Sequence, residues 1–152
     1  MCADLYLKIT YIKHKVRTVS KPQKTSLTAE ELVAMAARTL VNQKGLEPVI
    51  LDVRGLSSLG DYFIICSGTS KRHVQALAQH LQEALGQAGV KPLGVEGLED
   101  GQWVLLDYVD LVIHLFITPL REFYDLEGLW VEANRLPLPE FTNNRHQEQP
   151  RP

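Results

Sequence analysis

The chain has 152 residues, 45% of them hydrophobic and 22% charged, with a formal net charge of −2. That is enough for one domain with a real core, in the composition of an ordinary globular protein. No apolar run approaches the roughly 20 residues that a membrane-spanning helix needs. Two cysteines, Cys2 and Cys66, make no disulfide framework. The charge is uneven. Residues 1–25 hold six Lys or Arg against Asp4 alone, a net of +5, which leaves −7 for the remainder. An acidic body is a poor general binder of phosphate backbones, because that affinity comes from Lys and Arg. If it works near nucleic acid, its expected contact is a basic protein.

Residues 1–25 alternate weakly through Leu5, Leu7, Ile9 and Tyr11 and then turn basic. They read as a flexible basic arm. An organelle-targeting segment is the alternative, although the stretch is rich in Lys rather than Arg and short of serine. A helix then starts at Thr28, with Glu31 three residues on as a capping box and Leu27 and Leu32 at the staple positions. Its stripe is Leu32, Met35, Ala36 and Leu40, and Gly45 is expected to close it. Strands are predicted at 48–53 and 61–67, the second carrying Cys66 as a buried thiol. A long helix follows, capped by Thr69 or Ser70, with Val74, Leu77, Ala78, Leu81, Leu85 and Ala88 on one face and Gly89 at its end. The third strand is predicted at 91–96.

The stretch GQWVLLDYVDLVIHLFI, residues 101–117, reads as a hairpin that is apolar on both faces, as suits strands covered on each side. Its turn, at Tyr108, Val109 and Asp110, sets two carboxylates, Asp107 and Asp110, beside an aromatic ring. A last helix is expected with Thr118 as N-cap, Pro119 first, and Leu120, Phe123, Tyr124 and Leu126 packing inward. The Pro- and Gln-rich residues 132–152 read as a disordered tail. The order of elements predicts a single-domain α+β fold, one mixed sheet of about five strands flanked by helices.

Several groupings invite a chemical reading. SGTSKRH after a strand resembles a phosphate-binding turn, with the N–H groups of Gly68, Thr69 and Ser70 facing an anion and Lys71 and Arg72 assisting. It lacks a GxxxxGK[ST] or GxGxxG pattern, so a capped helix start explains it as well. Asp52, Asp61, Asp107 and Asp110 could supply a carboxylate pair for a metal, though such residues more often shape turns. His73 and His80 lie about 10 Å apart along a helix, too far to share one ion. His114 reads as a core or edge residue. Trp103 and Tyr108 with nearby charge have the composition of interface anchors, and core packing is the competing reading.

Several motifs in order carry a resemblance: LDVRGLSSLGDYFIICSGTSKRHVQALAQHL, GVEG, WVLLDYVDLVIHLF and REFYDLEGLW. Together they cover about Leu46 to Trp130 and resemble the ribosomal silencing factor family, RsfS or Iojap. The resemblance implies a nucleotidyltransferase-like α+β fold without transferase activity, no cofactor and no metal. It implies binding to ribosomal protein L-fourteen on the large ribosomal subunit, which blocks joining of the small subunit and represses translation under nutrient limitation. Organellar members instead assist large-subunit assembly. The partner-binding edge would comprise Trp103, Asp107, Tyr108 and Asp110, with the basic arm able to touch ribosomal RNA. The implied compartment is the cytoplasm, or a mitochondrion or chloroplast if the arm is a targeting segment. The family turn is usually Asp-Tyr-Gly-Asp. Here Val109 replaces the glycine, and a β-branched residue tolerates positive φ badly, so a different turn shape is expected. A nucleotide-using enzyme built on the Gly68 turn and the aspartates stays open as an alternative, as does a homodimer pairing through the Trp103 edge.

Overall fold

The computed structural model describes residues 27–139. The basic arm and the tail beyond residue 139 lie outside them. Helix α1, Ala29–Asn42, starts as its capping box requires. Thr28 Oγ1 accepts from the Glu31 N–H at 3.1 Å, and the Glu31 carboxylate accepts from the Thr28 N–H at 3.0 Å. It buries Leu32, Val33, Ala36, Ala37 and Leu40. At its end Lys44, not Gly45, takes the left-handed position, at φ 62°. Gly45 is needed for a different reason: a Cβ there would collide with Cys66 Sγ.

Strand β1, Leu46–Asp52, begins two residues earlier than expected and carries an irregularity between Leu46 and Val49, where Glu47 has φ 45°. Strand β2, Tyr62–Gly68, is buried along its whole length. Helix α2, Lys71–Gln87, is capped by Ser70, whose hydroxyl accepts from the His73 N–H, and buries Val74, Leu77, Ala78, Leu81 and Leu85. Gly89 follows it at φ 83°. Strand β3 spans only Gly94–Glu96.

Strands β4, Trp103–Asp107, and β5, Leu111–Ile117, form the expected antiparallel hairpin. Helix α3, Thr118–Tyr124, follows at once. Its cap position is Ile117, still extended, so Thr118 is already helical and makes no capping bond. Asp125 then turns the chain at φ 44° and caps the short α4, Leu126–Leu129, by accepting from the Gly128 N–H.

Residues 132–139 are not a disordered tail. Ala133 is buried, and β6, Asn134–Leu136, pairs antiparallel with Ile50–Asp52 of β1. Three residues between prolines and charges carry no alternation to betray a strand, and only the waiting edge of β1 defines it.

The result is one six-stranded mixed sheet in the order β3-β4-β5-β2-β1-β6, with β2 and β5 parallel at its centre. α1 and α2 cover one face, over Ile50, Ile64, Val104, Leu106, Ile113 and Leu115. The other face holds Leu51, Phe63, Ile65, Trp103, Leu105 and Phe116, against Leu126 with Tyr124 and Trp130.

Candidate functional site

The hairpin register separates the four residues expected to form one edge. Trp103 lies opposite Phe116 at the open end, and Asp107 lies opposite Val112 beside the turn. At about 3.4 Å per residue, roughly 14 Å of strand lies between them. Trp103 is 6% exposed, Tyr108 4% and Asp107 0%, and Asp110 alone is exposed. Alternation names the face that each side chain takes but not what covers that face. The sequence therefore could not tell a solvent-facing edge from a covered one.

The turn is built from one side-chain bond and several backbone bonds. Asp107 Oδ1 accepts from the Val109 N–H at 2.9 Å. The Asp110 N–H donates to Tyr108 O at 3.0 Å, closing a γ-turn around Val109. Asp110 O accepts from both Asp61 N–H (2.8 Å) and Tyr62 N–H (2.9 Å) at the head of β2. A side chain on Gly60 would sit 3.3 Å from Val109 O, so glycine lets β2 approach this closely. Val109 has φ 74°. The surrounding bonds hold the valine at a positive φ that favours glycine, at a cost of about 1–2 kcal/mol. Tyr108 contributes packing. Burial pushes its phenol up to about 12, and its buried hydroxyl has no hydrogen-bond partner among the described residues.

Trp103 belongs to an aromatic stack. Its ring centroid lies 5.2 Å from Phe116, 5.1 Å from Tyr124 and 6.1 Å from His114. Its indole N–H donates to His114 Nδ1 at 3.3 Å, so that nitrogen of the buried imidazole carries no proton. Phe63 meets His114 edge-on at 5.6 Å. The outermost members come from α3: Tyr124 is half-buried, and Phe123, expected to pack inward, is 54% exposed and edge-on to Tyr124 at 5.2 Å. Neighbouring positions on a helix cannot both face the sheet, and here it is Tyr124 that packs on Trp103 and Phe116.

The remaining groupings are engaged locally. The Thr69 N–H, a candidate for anion binding, donates to His73 Nδ1 at 2.9 Å, and Gly68 is packed against Val74. Asp52 pairs with Arg54 at 2.8 Å, whose hydrogen bonds hold its carboxyl below the usual range. Arg54 also lies over the Tyr62 ring, and Tyr62 donates to Glu30 at 3.0 Å. Among the described residues no three His, Cys, Asp or Glu side chains gather as a metal site. Cys66 is a buried free thiol, and burial pushes it up to about 12.

Comparison with known proteins agrees with this architecture. A crystal structure of a Chromobacterium violaceum protein superposes with a TM-score of 0.67 at 39% identity, covering 68% of this chain and 87% of that one. A ribosomal silencing factor RsfS from Halalkalibacterium halodurans is 35% identical over 112 residues, 74% of this chain and 96% of its own length. A mouse protein named for mitochondrial assembly of the ribosomal large subunit is 37% identical over 73 residues, 46% of this chain and 32% of its own. The family model described as ribosomal silencing factor during starvation matches residues 26–152. The chain belongs to the RsfS family of ribosomal silencing factors.

Proposed function

We propose that this protein binds the large ribosomal subunit through ribosomal protein L-fourteen and, seated there, blocks the small subunit from joining, so that translation initiation falls when nutrients are short. Family membership is the observation that carries the reading. The mechanism needs no catalysis. An ordinary interface of about 800 Å² per partner excludes a competitor from the same surface. The net charge of −7 outside the basic arm suits a basic protein partner and makes association sensitive to salt.

Within the hairpin edge, Asp110 is the residue available to meet a basic group. Asp107 and Tyr108 hold the turn that presents it, and Trp103 acts through the aromatic stack. Co-sedimentation with separated subunits tests the reading. The wild-type chain is expected to travel with the large subunit alone, and Asp110→Lys to weaken that binding about tenfold without loss of stability. No sedimentation with the large subunit at low salt defeats the proposal.

The mouse relative favours a second reading, in which the chain assists assembly of an organellar large subunit. Imaging the tagged full-length chain separates them: the first reading expects cytoplasm, and the second a mitochondrion or chloroplast.

A further inference from the structure

Three large apolar side chains stand in solvent along one short stretch. Phe123 on α3 is 54% exposed, Leu129 on α4 is 43% exposed, and Val131 just beyond is 78% exposed. Single exposed apolar residues are ordinary, but three within nine residues of chain, the first edge-on to the aromatic stack, are a concentration that suits a contact surface. Its mounting is rigid. Arg121, on α3, donates to the carbonyls of Leu46 (3.2 Å) and Glu47 (2.8 Å) and to Ser67 Oγ (3.0 Å), and pairs with Glu127 at 2.7 Å. Phe123 leans on Tyr124, and Tyr124 on Trp103. A ring held this way has little ordering entropy left to lose on binding.

Apart from one ion-paired arginine, the charged side chains lining the neighbouring cleft are carboxylates. That cleft, of about 460 Å³, opens between the start of β1 and α3, and Glu47, Glu122 and Asp125 line it. Arg121 and Glu127 pair with each other in its lining, and Glu127 also meets Arg135 at 3.4 Å. The other three carboxylates make no ion pair among the described residues.

We propose that this face, centred on Phe123, docks a Lys- and Arg-rich segment of a basic protein. One cation lies over the Phe123 ring and a neighbouring one enters the cleft between Glu47, Glu122 and Asp125. The kind of partner rests on the ribosomal reading, but the contact lies at the opposite end of the hairpin from Asp110. The stack gives Trp103 a positioning role, because it sets Tyr124 and through it Phe123.

The test has two arms. In the first, the isotope-labelled full-length chain is titrated at low salt with a short synthetic Lys- and Arg-rich peptide and followed by NMR. Shifts concentrated at Phe123, Leu129 and Glu122 are expected. Shifts elsewhere, none at all, or contacts from the chain's own residues 1–25 already filling the face overturn the proposal, whether or not the ribosomal reading stands. In the second, large subunits are the probe. Phe123→Ala and Glu122→Lys are each expected to lose about tenfold in affinity with unchanged melting temperature. If the wild-type chain binds and both variants bind equally well, the surface is wrong and the ribosomal reading survives. If the wild-type chain fails to bind, that reading falls, and the peptide titration alone decides this one.

Discussion

The two faces of the sheet reach the same burial by different means. One lies under α1 and α2, which apply long aliphatic stripes to a mostly aliphatic surface. The other lies against the short α3 and α4 and carries the stack of aromatic rings, with His114 wholly buried among them. The first kind of packing is periodic, and any residue on the stripe contributes area in proportion to its size. The second is particular: each ring depends on the one beside it and on a few polar bonds.

Truncation should separate the two most clearly. Leu77→Ala, beneath α2, is expected to cost about 3 kcal/mol by the usual cavity and transfer effects. Tyr124→Ala, at the half-buried outer end of the stack, is expected to cost about 1–2 kcal/mol. Urea denaturation of both variants checks this, and equal losses would mean that α3 and α4 close their face as firmly as the long helices close theirs.

Alkaline pH probes the helical face alone. In the folded chain burial raises the Cys66 thiol to about 12, against about 8.5 for a free thiol. A group whose pKa is raised by folding contributes stability that is fully present below its unfolded value and is lost as pH rises toward the folded one. Stability is therefore expected to hold up to about pH 8.5 and then fall by about 1.4 kcal/mol per pH unit, or about 2 kcal/mol by pH 10. Tyr108, also raised to about 12, adds to the loss above pH 10. Denaturation midpoints from pH 7 to 10 give the slope, and Cys66→Ala should flatten it.

On the aromatic face, Trp103→Phe keeps a ring in the stack and deletes the N–H that His114 accepts. A loss of about 1–1.5 kcal/mol is expected. A much larger loss would show that the size of the indole, and not its bond, holds the face together.

What was legible in the chain follows the same division. The capping box at Thr28, the stripe from Val74 to Leu85, the buried Cys66 strand and the hairpin each have a local cause, and all stand where the sequence places them. β6 has none, since it exists because Ile50–Asp52 offer an edge. The exposure of the candidate edge was illegible on the same ground. Trp103 and Tyr108 look like anchors by type, but exposure depends on what α3 lays over Trp103 and what α1 and α2 lay over Tyr108, and neither is written near residues 103–110. Phe123 went the other way, because which of two adjacent rings points inward depends on the tilt of a helix only seven residues long.

The smallest expected effect tests the turn between the two faces. Val109 sits at φ 74°, a conformation that favours glycine, and releasing a side chain from it is worth about 1–2 kcal/mol. Glycine returns about 0.5–1 kcal/mol of that through the extra freedom of its unfolded chain. Val109→Gly should therefore stabilise the fold by about 0.5–1 kcal/mol, raising the melting temperature by a few degrees. The opposing contribution is packing: Val109 is half-buried and borders a notch of about 270 Å³ lined also by Leu32, Val90 and Leu93. Val109→Ala isolates it, since alanine keeps the positive φ and drops two methyl groups. If both variants melt below wild type, the side chain outweighs the strain and the valine is held by its contacts in the notch. If glycine melts above wild type and alanine below it, the strain is real and it is sustained by the bond from Val109 N–H to the Asp107 carboxylate and by those from Asp61 and Tyr62 N–H to Asp110 O.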